Sequence, residues 1–296
     1  MNKGKIIVFE GLDCSFKETN SFKLYQYLKN LGLKTYWKSF PCYEDESSYF
    51  VRQYLKGIYG KTEDINPIIG SSFYMIDQYH VWKTELKELY NDGYIIILDR
   101  FWTSNLYHQV SKIKESDYNG ERVDYIKDAS NIVEKIIDLA TIDYKLPIPD
   151  LVLYMKVDLY NIIRLLKEKN KNKTGDLHED NFEYLQNVYK LYHSGIINNS
   201  KRLKSRNIYC SYINNRNDFL LYDIENLARI LNDLINKSIN IHTPTDHLKL
   251  LSEDKFKDVC FPTDYFKLLS EDETFLSVLE ASKDVIKYDD FRNIVS

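Results

Sequence analysis

Cysteine is scarce in this chain: four in 296 residues, with no CxxC pair among Cys14, Cys42, Cys210 and Cys260. That scatter speaks against a zinc or disulfide framework and suits reduced thiols in a cytoplasmic protein. No apolar run approaches the roughly 18 residues that cross a bilayer. Met1 to Lys5 lead directly into a strand-like run without the apolar core of a signal peptide. A cytoplasmic location with no membrane partner is therefore expected. An excess of positive charge is also missing: the formal net charge is −4, so no nucleic-acid partner is expected. What is present is ordinary for a soluble globular protein, 44% hydrophobic and 28% charged residues. The 25 tyrosines reflect a bias of composition towards Tyr, Asn, Lys and Ile rather than a set of base-stacking platforms.

Several short apolar runs have the character of buried parallel strands, which are hydrophobic on both faces. Ile6 to Phe9 ends at Glu10-Gly11, and Tyr94 to Leu98 ends at Asp99-Arg100. Lys34 to Phe40 ends at Pro41, Asp150 to Met155 gives a fourth strand, and Ile208 to Ile213 a weaker fifth. Helical periodicity lies between them: Phe22, Tyr25, Leu28 and Leu31 before Gly32, then Ile68 to Tyr90, stretches near 101–112 and 122–140, and Ile224 to Ile235. Strands alternating with helices imply an α/β domain with a parallel sheet covered on both faces. Ligands bind such sheets at the carboxyl ends of the strands, where Gly11–Asn20, Phe40–Ser47 and Asp99–Gln109 fall. Lys167 to Asp180 is rich in lysine and reads either as a solvated connection or as a lid over phosphates.

A change of composition marks a boundary near residue 240. Residues 241–296 hold twelve acidic and seven basic side chains. They contain a repeat of period 18, Pro244-Thr-Asp-His-Leu-Lys-Leu-Leu-Ser-Glu-Asp254 returning at Pro262–Asp272 with nine of eleven positions identical. Thr-Asp and Ser-Glu-Asp are good helix starts, so the expected domains are 1–237 and a helical acidic extension, 238–296. The extension serves either as packing against the main domain or as a surface for a protein partner.

The stretch Glu10-Gly11-Leu12-Asp13-Cys14-Ser15-Phe16-Lys17-Glu18-Thr19, between a strand and a helix, has the frame of a phosphate-binding loop. Such a loop wraps backbone N–H groups around phosphate oxygens, with a lysine for charge and a hydroxyl for Mg²⁺. Here Gly11 and Lys17 keep the spacing, Phe16 stands at the second glycine and Glu18 at the hydroxyl. A non-glycine residue held at positive φ costs about 1–2 kcal/mol.

In these residues the chain resembles the thymidylate kinases. The family's opening motif matches at Glu10, Gly11, Asp13, Lys17 and Thr19, and its Phe-Pro element at Phe40-Pro41. Its Asp-Arg-[Tyr/Phe] motif matches Asp99-Arg100-Phe101 with Ser104 and Gln109, and its Pro-Asp-Leu strand start matches Pro149-Asp150-Leu151. Asp176-Leu177-His178-Glu179 is close to the lid end of one branch. The resemblance implies a five-stranded parallel sheet of the P-loop kinase type, ATP and Mg²⁺ as donor and cofactor, and a homodimer. It further implies catalytic roles for Lys17, Asp99 and Arg100, with Gly11, Ser15, Glu18 and Thr19 around the donor phosphates and Mg²⁺. The acceptor nucleotide would meet Asp13 at its sugar, Phe40, Pro41, Ser104 and Gln109 around it, and Tyr74 stacked on its base. Lys171, Lys173 and Glu179 would belong to the lid.

The departures fall on both substrates. Cys14 and Phe16 replace family glycines, Gln78 stands where an arginine follows the stacking aromatic, and Tyr43 where one follows Phe-Pro. Lysines, which lack the arginine fork, populate the lid segment. Two readings follow: a kinase that phosphorylates a pyrimidine deoxynucleotide such as dTMP, or a catalytically silent relative that acts through nucleotide or protein binding. His80 and His108 read as helix-face residues, one of which lines the acceptor pocket.

Overall fold

Alternation of side chains along a strand sends successive residues to opposite faces. In the apolar run at the N-terminus, Ile6 and Val8 enter one hydrophobic core and Ile7 and Phe9 another, on the two sides of one sheet. The computed structural model describes residues 3–119, 121–157, 159–169, 182–193, 196–197, 200–205 and 209–214. Its strands are β1 (Lys5–Glu10), β2 (Thr35–Ser39), β3 (Ile95–Asp99), β4 (Leu151–Lys156) and β5 (Tyr209–Asn214). They pair in parallel in the order β2-β3-β1-β4-β5. The parallel sheet with helical cover expected from the apolar runs is present in β1 to β4 and the helices around them.

The helices are α1 (Lys17–Asn30), α2 (Tyr49–Leu55), α3 (Pro67–Val81), α4 (Lys87–Asn91), α5 (Asn105–His108), α6 (Arg122–Asp138), α7 (Leu159–Lys169), α8 (Phe182–His193) and α9 (Lys201–Ser205). Leu24 and Leu28 of α1 cover the face carrying Ile7, Phe9, Leu153 and Met155. The other face is covered by residues of α3, α5, α6 and α8, among them Met75, Leu106, Val133 and Val188. Complete burial of each such side chain is worth about 1.5–3 kcal/mol.

Local chemistry sets the ends. Asn66 caps α3 by accepting from the Ile68 N–H at 2.9 Å, with Pro67 at the first position. Gly32, at φ 79°, turns the chain out of α1. The periodic stretch Ile68–Tyr90 is not one α-helix: a π-turn, Trp82–Leu86, joins α3 to α4. The stretch 101–112 is broken into short turns around α5, and α7 continues to Lys169, past the loop start expected at Lys167. The rest of that segment, with Lys171, Lys173 and Glu179, lies outside the described residues, as do the helix expected at Ile224–Ile235 and the 18-residue repeat. No helix among the described residues is long and apolar enough to cross a membrane.

The register carries the functional consequence. Phe9 pairs with Asp99 and Asp99 with Ser39, so β1, β3 and β2 end side by side. From β1 the chain goes first to β2 and β3 on one side and then crosses to β4 on the other, and crevices at such switch points take ligands.

Candidate active site

Between β1 and α1 the chain closes a tight loop. Gly11 is required: a Cβ there would lie 2.5 Å from Ser15 Oγ and 3.1 Å from the Met155 carbonyl oxygen. Cys14 (φ 60°) and Phe16 (φ 62°) both adopt the left-handed conformation that glycine would take without strain. The loop is held by Ser15 N–H donating to the Leu12 carbonyl at 3.2 Å and by the Asn20 side-chain amide donating to the Phe16 carbonyl at 2.8 Å. Lys17 is buried, with Nζ donating to the Leu12 carbonyl at 3.1 Å and lying 3.6 Å from Asp13 Oδ1. Burial, aided by nearby Arg100, pushes its ammonium pKa down, against the pull of Asp13 and Asp99. Glu18 and Thr19 are exposed on the first turn of α1, where the helix dipole favours anionic groups.

Asp99 ends β3 with Oδ2 accepting from the Ser39 hydroxyl at 2.8 Å. Its Oδ1 is buried without a hydrogen-bond partner among the described residues, and so is Ser15 Oγ. Arg100 follows at φ 64°. One guanidinium nitrogen donates to Asp13 Oδ1 at 2.6 Å and another meets His108 Nε2 at 3.1 Å. Burial disfavours this cation, but Asp13, Asp99 and Glu10 outweigh it and hold the guanidinium above its ordinary range. Glu10 is wholly buried beneath the turn. It accepts from the Phe101 N–H at 3.2 Å, the Thr103 hydroxyl at 2.6 Å and the Ser104 hydroxyl. Burial pushes Glu10 up, and those three donors and Arg100 oppose the rise.

These groups form one end of an open pocket of about 550 Å³, counting its mouth. Asp13, Arg100, Ser104 and His108 make the polar end; Phe40, Pro41, Phe101, Tyr43 and Tyr74 give ring walls; Gln78 and Asn105 add two amides. The structure therefore brings together Asp13, Phe40, Pro41, Tyr74, Gln78, Arg100 and Ser104, which the sequence had singled out. Gln109 does not line the pocket. It is wholly buried, with both amide atoms unpartnered among the described residues, and its Oε1 would lie 2.2 Å from a Cβ on Gly70. Neighbouring helix positions point about 100° apart, so with His108 turned to the pocket, Gln109 is turned into the protein. His80, the other candidate, is exposed beside Asp45.

Three contributors were not legible in the motifs. Asn105 lies one residue past Ser104 and carried no separate signal. Tyr184 of α8 meets His108 Nδ1 at 2.8 Å, a contact across 76 residues. Asp77, adjacent to Gln78, is buried and accepts from the Cys42 N–H at 2.9 Å and the Ser47 hydroxyl at 2.5 Å. It fastens the loop after Pro41 to α3. Burial pushes its carboxyl up, opposed by those two donors.

No group of three or more metal-ligating side chains occurs among the described residues. Mg²⁺ carried with a nucleotide takes one or two carboxylates and completes its shell with phosphate and water. The orphaned Asp99 Oδ1 and the exposed Glu18 are oxygen donors of the right kind on the two sides of the loop.

Comparison with known proteins gives a consistent picture. A thymidylate kinase family model matches residues 9–121. A thymidylate kinase of Brachyspira hyodysenteriae is 30% identical over 116 residues, 39% of this chain and 54% of that protein, so the match spans about half of that relative. A thymidylate kinase of Caldicellulosiruptor saccharolyticus is 27% identical over 236 residues, 79% of this chain and 99% of that one. Among solved structures, thymidylate kinase from Candida albicans superposes with a TM-score of 0.52 at 20% identity, covering 80% of this chain and 92% of that one. That likeness speaks for the fold.

Proposed function

The chain belongs to the thymidylate kinase family, and from that premise we propose that it is a nucleoside monophosphate kinase. It moves the γ-phosphoryl group of ATP to a pyrimidine deoxynucleotide such as dTMP. The observation that carries this reading is that the loop keeps glycine-like backbone geometry at Cys14 and Phe16, beside a pocket holding Asp13 and Arg100. A loop released from phosphate binding has no reason to retain strain costing about 1–2 kcal/mol per residue.

Phosphoryl transfer asks for positioning and charge neutralisation, and the roles divide accordingly. Lys17 neutralises donor phosphate at the mouth of the loop, and Ser15 and the loop N–H groups hold its oxygens. Arg100, held by Asp13 and His108, grips the acceptor phosphate, and Asp13 meets the acceptor sugar. Tyr74 and Phe40 enclose the base. Mg²⁺ bound with ATP would neutralise charge on the β- and γ-phosphates, with Asp99 and Glu18 as its carboxylate contacts. Exposed Ile69, Ile76 and Tyr79 on α3 and Ile126 on α6 support a homodimer.

The test is calorimetric titration of the full chain with ATP–Mg²⁺ and, separately, dTMP, followed by a kinase assay. Micromolar binding of both is expected. Arg100→Ala should then lower turnover by about 10³-fold or more with the folded structure retained. Turnover unchanged in that variant would refute the assignment. Absence of ATP binding at millimolar concentration would make the chain a silent relative.

A further inference from the structure

We propose that His108 is a positioning residue that fixes Arg100 through a hydrogen-bond relay from α8, using its imidazole as an acceptor with the proton on Nδ1. The proposal rests on the reading of this pocket as an acceptor-nucleotide site. Arginine has no acceptor atom and stays protonated, so in the 3.1 Å contact Nε2 of His108 must accept. A neutral imidazole with Nε2 accepting carries its hydrogen on Nδ1. That nitrogen faces the Tyr184 hydroxyl at 2.8 Å, and the Tyr184 O–H lies 3.4 Å from the His108 carbonyl. Tyr184 is buried and its phenol is pushed well above the ordinary range by burial, so it keeps its proton for that carbonyl. Each contact along the chain Tyr184–His108–Arg100–Asp13 thus has one donor and one acceptor, and one tautomer of His108 satisfies all of them.

The relay matters because Arg100 has two anchors of different kinds. Asp13 holds it from the phosphate loop at 2.6 Å, and that carboxylate also lies 3.6 Å from Lys17. His108 holds it from α5 without adding a charge. The titratable groups around the ring are Arg100 after β3, Asp13 of the phosphate loop, Tyr184 of α8, and Tyr54 and Tyr74 of α2 and α3 beyond Tyr184. Protonation of His108 would set N–H against N–H at Arg100 and place two cations in contact. Acceptor affinity should therefore be full with a neutral ring and fall as the ring takes up its second proton.

Two measurements on the full chain separate the relay from the acceptor-site reading. The first is ligand-independent: long-range ¹⁵N–¹H correlation spectra of the imidazoles at pH 7.5, with His108 assigned through His108→Gln. A proton on Nδ1 is expected, and one on Nε2 overturns the relay whatever dTMP does. The second is dTMP titration between pH 5.5 and 8.5. His108→Phe should weaken binding about tenfold at pH 7.5 and flatten its pH dependence. His108→Gln, whose amide oxygen accepts without titrating, should recover most of that affinity and be equally flat. Equal losses in both variants at unchanged thermal midpoint, or none in His108→Phe, would overturn it. If the wild-type chain binds no dTMP, the acceptor-site reading falls, and the imidazole spectra still decide the relay.

Discussion

At the scale of single residues, the loop between β1 and α1 sets local preference against the backbone conformation it adopts. Phe16 caps α1 in the left-handed region with no side-chain bond of its own to the helix end, at a cost of about 1–2 kcal/mol. Truncating a well-packed core phenylalanine costs about 3–5 kcal/mol, but Phe16 is only half-buried, so fewer contacts are lost and release of strain offsets them. Phe16→Gly should therefore change unfolding free energy by less than about 1 kcal/mol and tighten ATP binding. Denaturant titration beside calorimetry would read both, and a loss near the core value with unchanged ATP affinity would show that Phe16 is a packing residue. The sequence stated the conflict by placing a bulky residue in a glycine frame. Only the observed φ shows that the geometry prevailed over the propensity.

At the scale of elements, the turn after α5 is braced against the start of α3 by Lys112. Its ammonium donates to the Ile65 carbonyl at 3.0 Å and lies 5.1 Å from the centre of the Tyr54 ring. Burial pushes it down to about 7 from an unfolded value near 10.5. Between those values the unfolded chain binds more protons, so stability rises with pH across this window; the penalty is complete below about pH 7. Lys112→Met should stabilise the fold at pH 7 by on the order of 1 kcal/mol and flatten the rise towards pH 10. Thermal melts across pH 6 to 10 would test this, and an unchanged slope would assign it to another group. Neither Lys112 nor the neighbouring Gln109–Gly70 contact was legible in the sequence. A lysine every few residues is ordinary, and nothing local says which one the fold will bury.

At the scale of the whole molecule, apolar side chains remain exposed on α3 and α6: Ile69 at 53%, Ile76 at 37%, Tyr79 at 40% and Ile126 at 39%. Single exposed hydrophobic residues are unremarked on any surface, but four on two helices that pack together suit a symmetric interface. Sedimentation equilibrium should give a dimer, and Ile76→Glu should shift it to monomer by burying a charge at the contact. A monomeric wild-type chain would remove the homodimer. The acidic repeat at 244–272 stays a feature of sequence: its internal identity is plain, and its role needs a partner or a packing surface that sequence alone does not name.

The sequence by itself determined the class of fold and the positions where chemistry could sit. Buried strands on both faces must be uniformly apolar, and a run that ends in Glu-Gly or Asp-Arg marks a carboxyl edge. The frame Gly11 to Lys17, the pair Asp99-Arg100 and the element Phe40-Pro41 were visible because their spacing follows from those edges. What tertiary structure alone decided is which neighbours complete each group. The choice of His108 over Gln109 for the pocket, the buried Asp77 clamp, and the reach of Tyr184 across 76 residues all depend on which side of a helical turn faces the sheet. A rotation of about 100° between adjacent residues has no signature in residue type, so packing sets it.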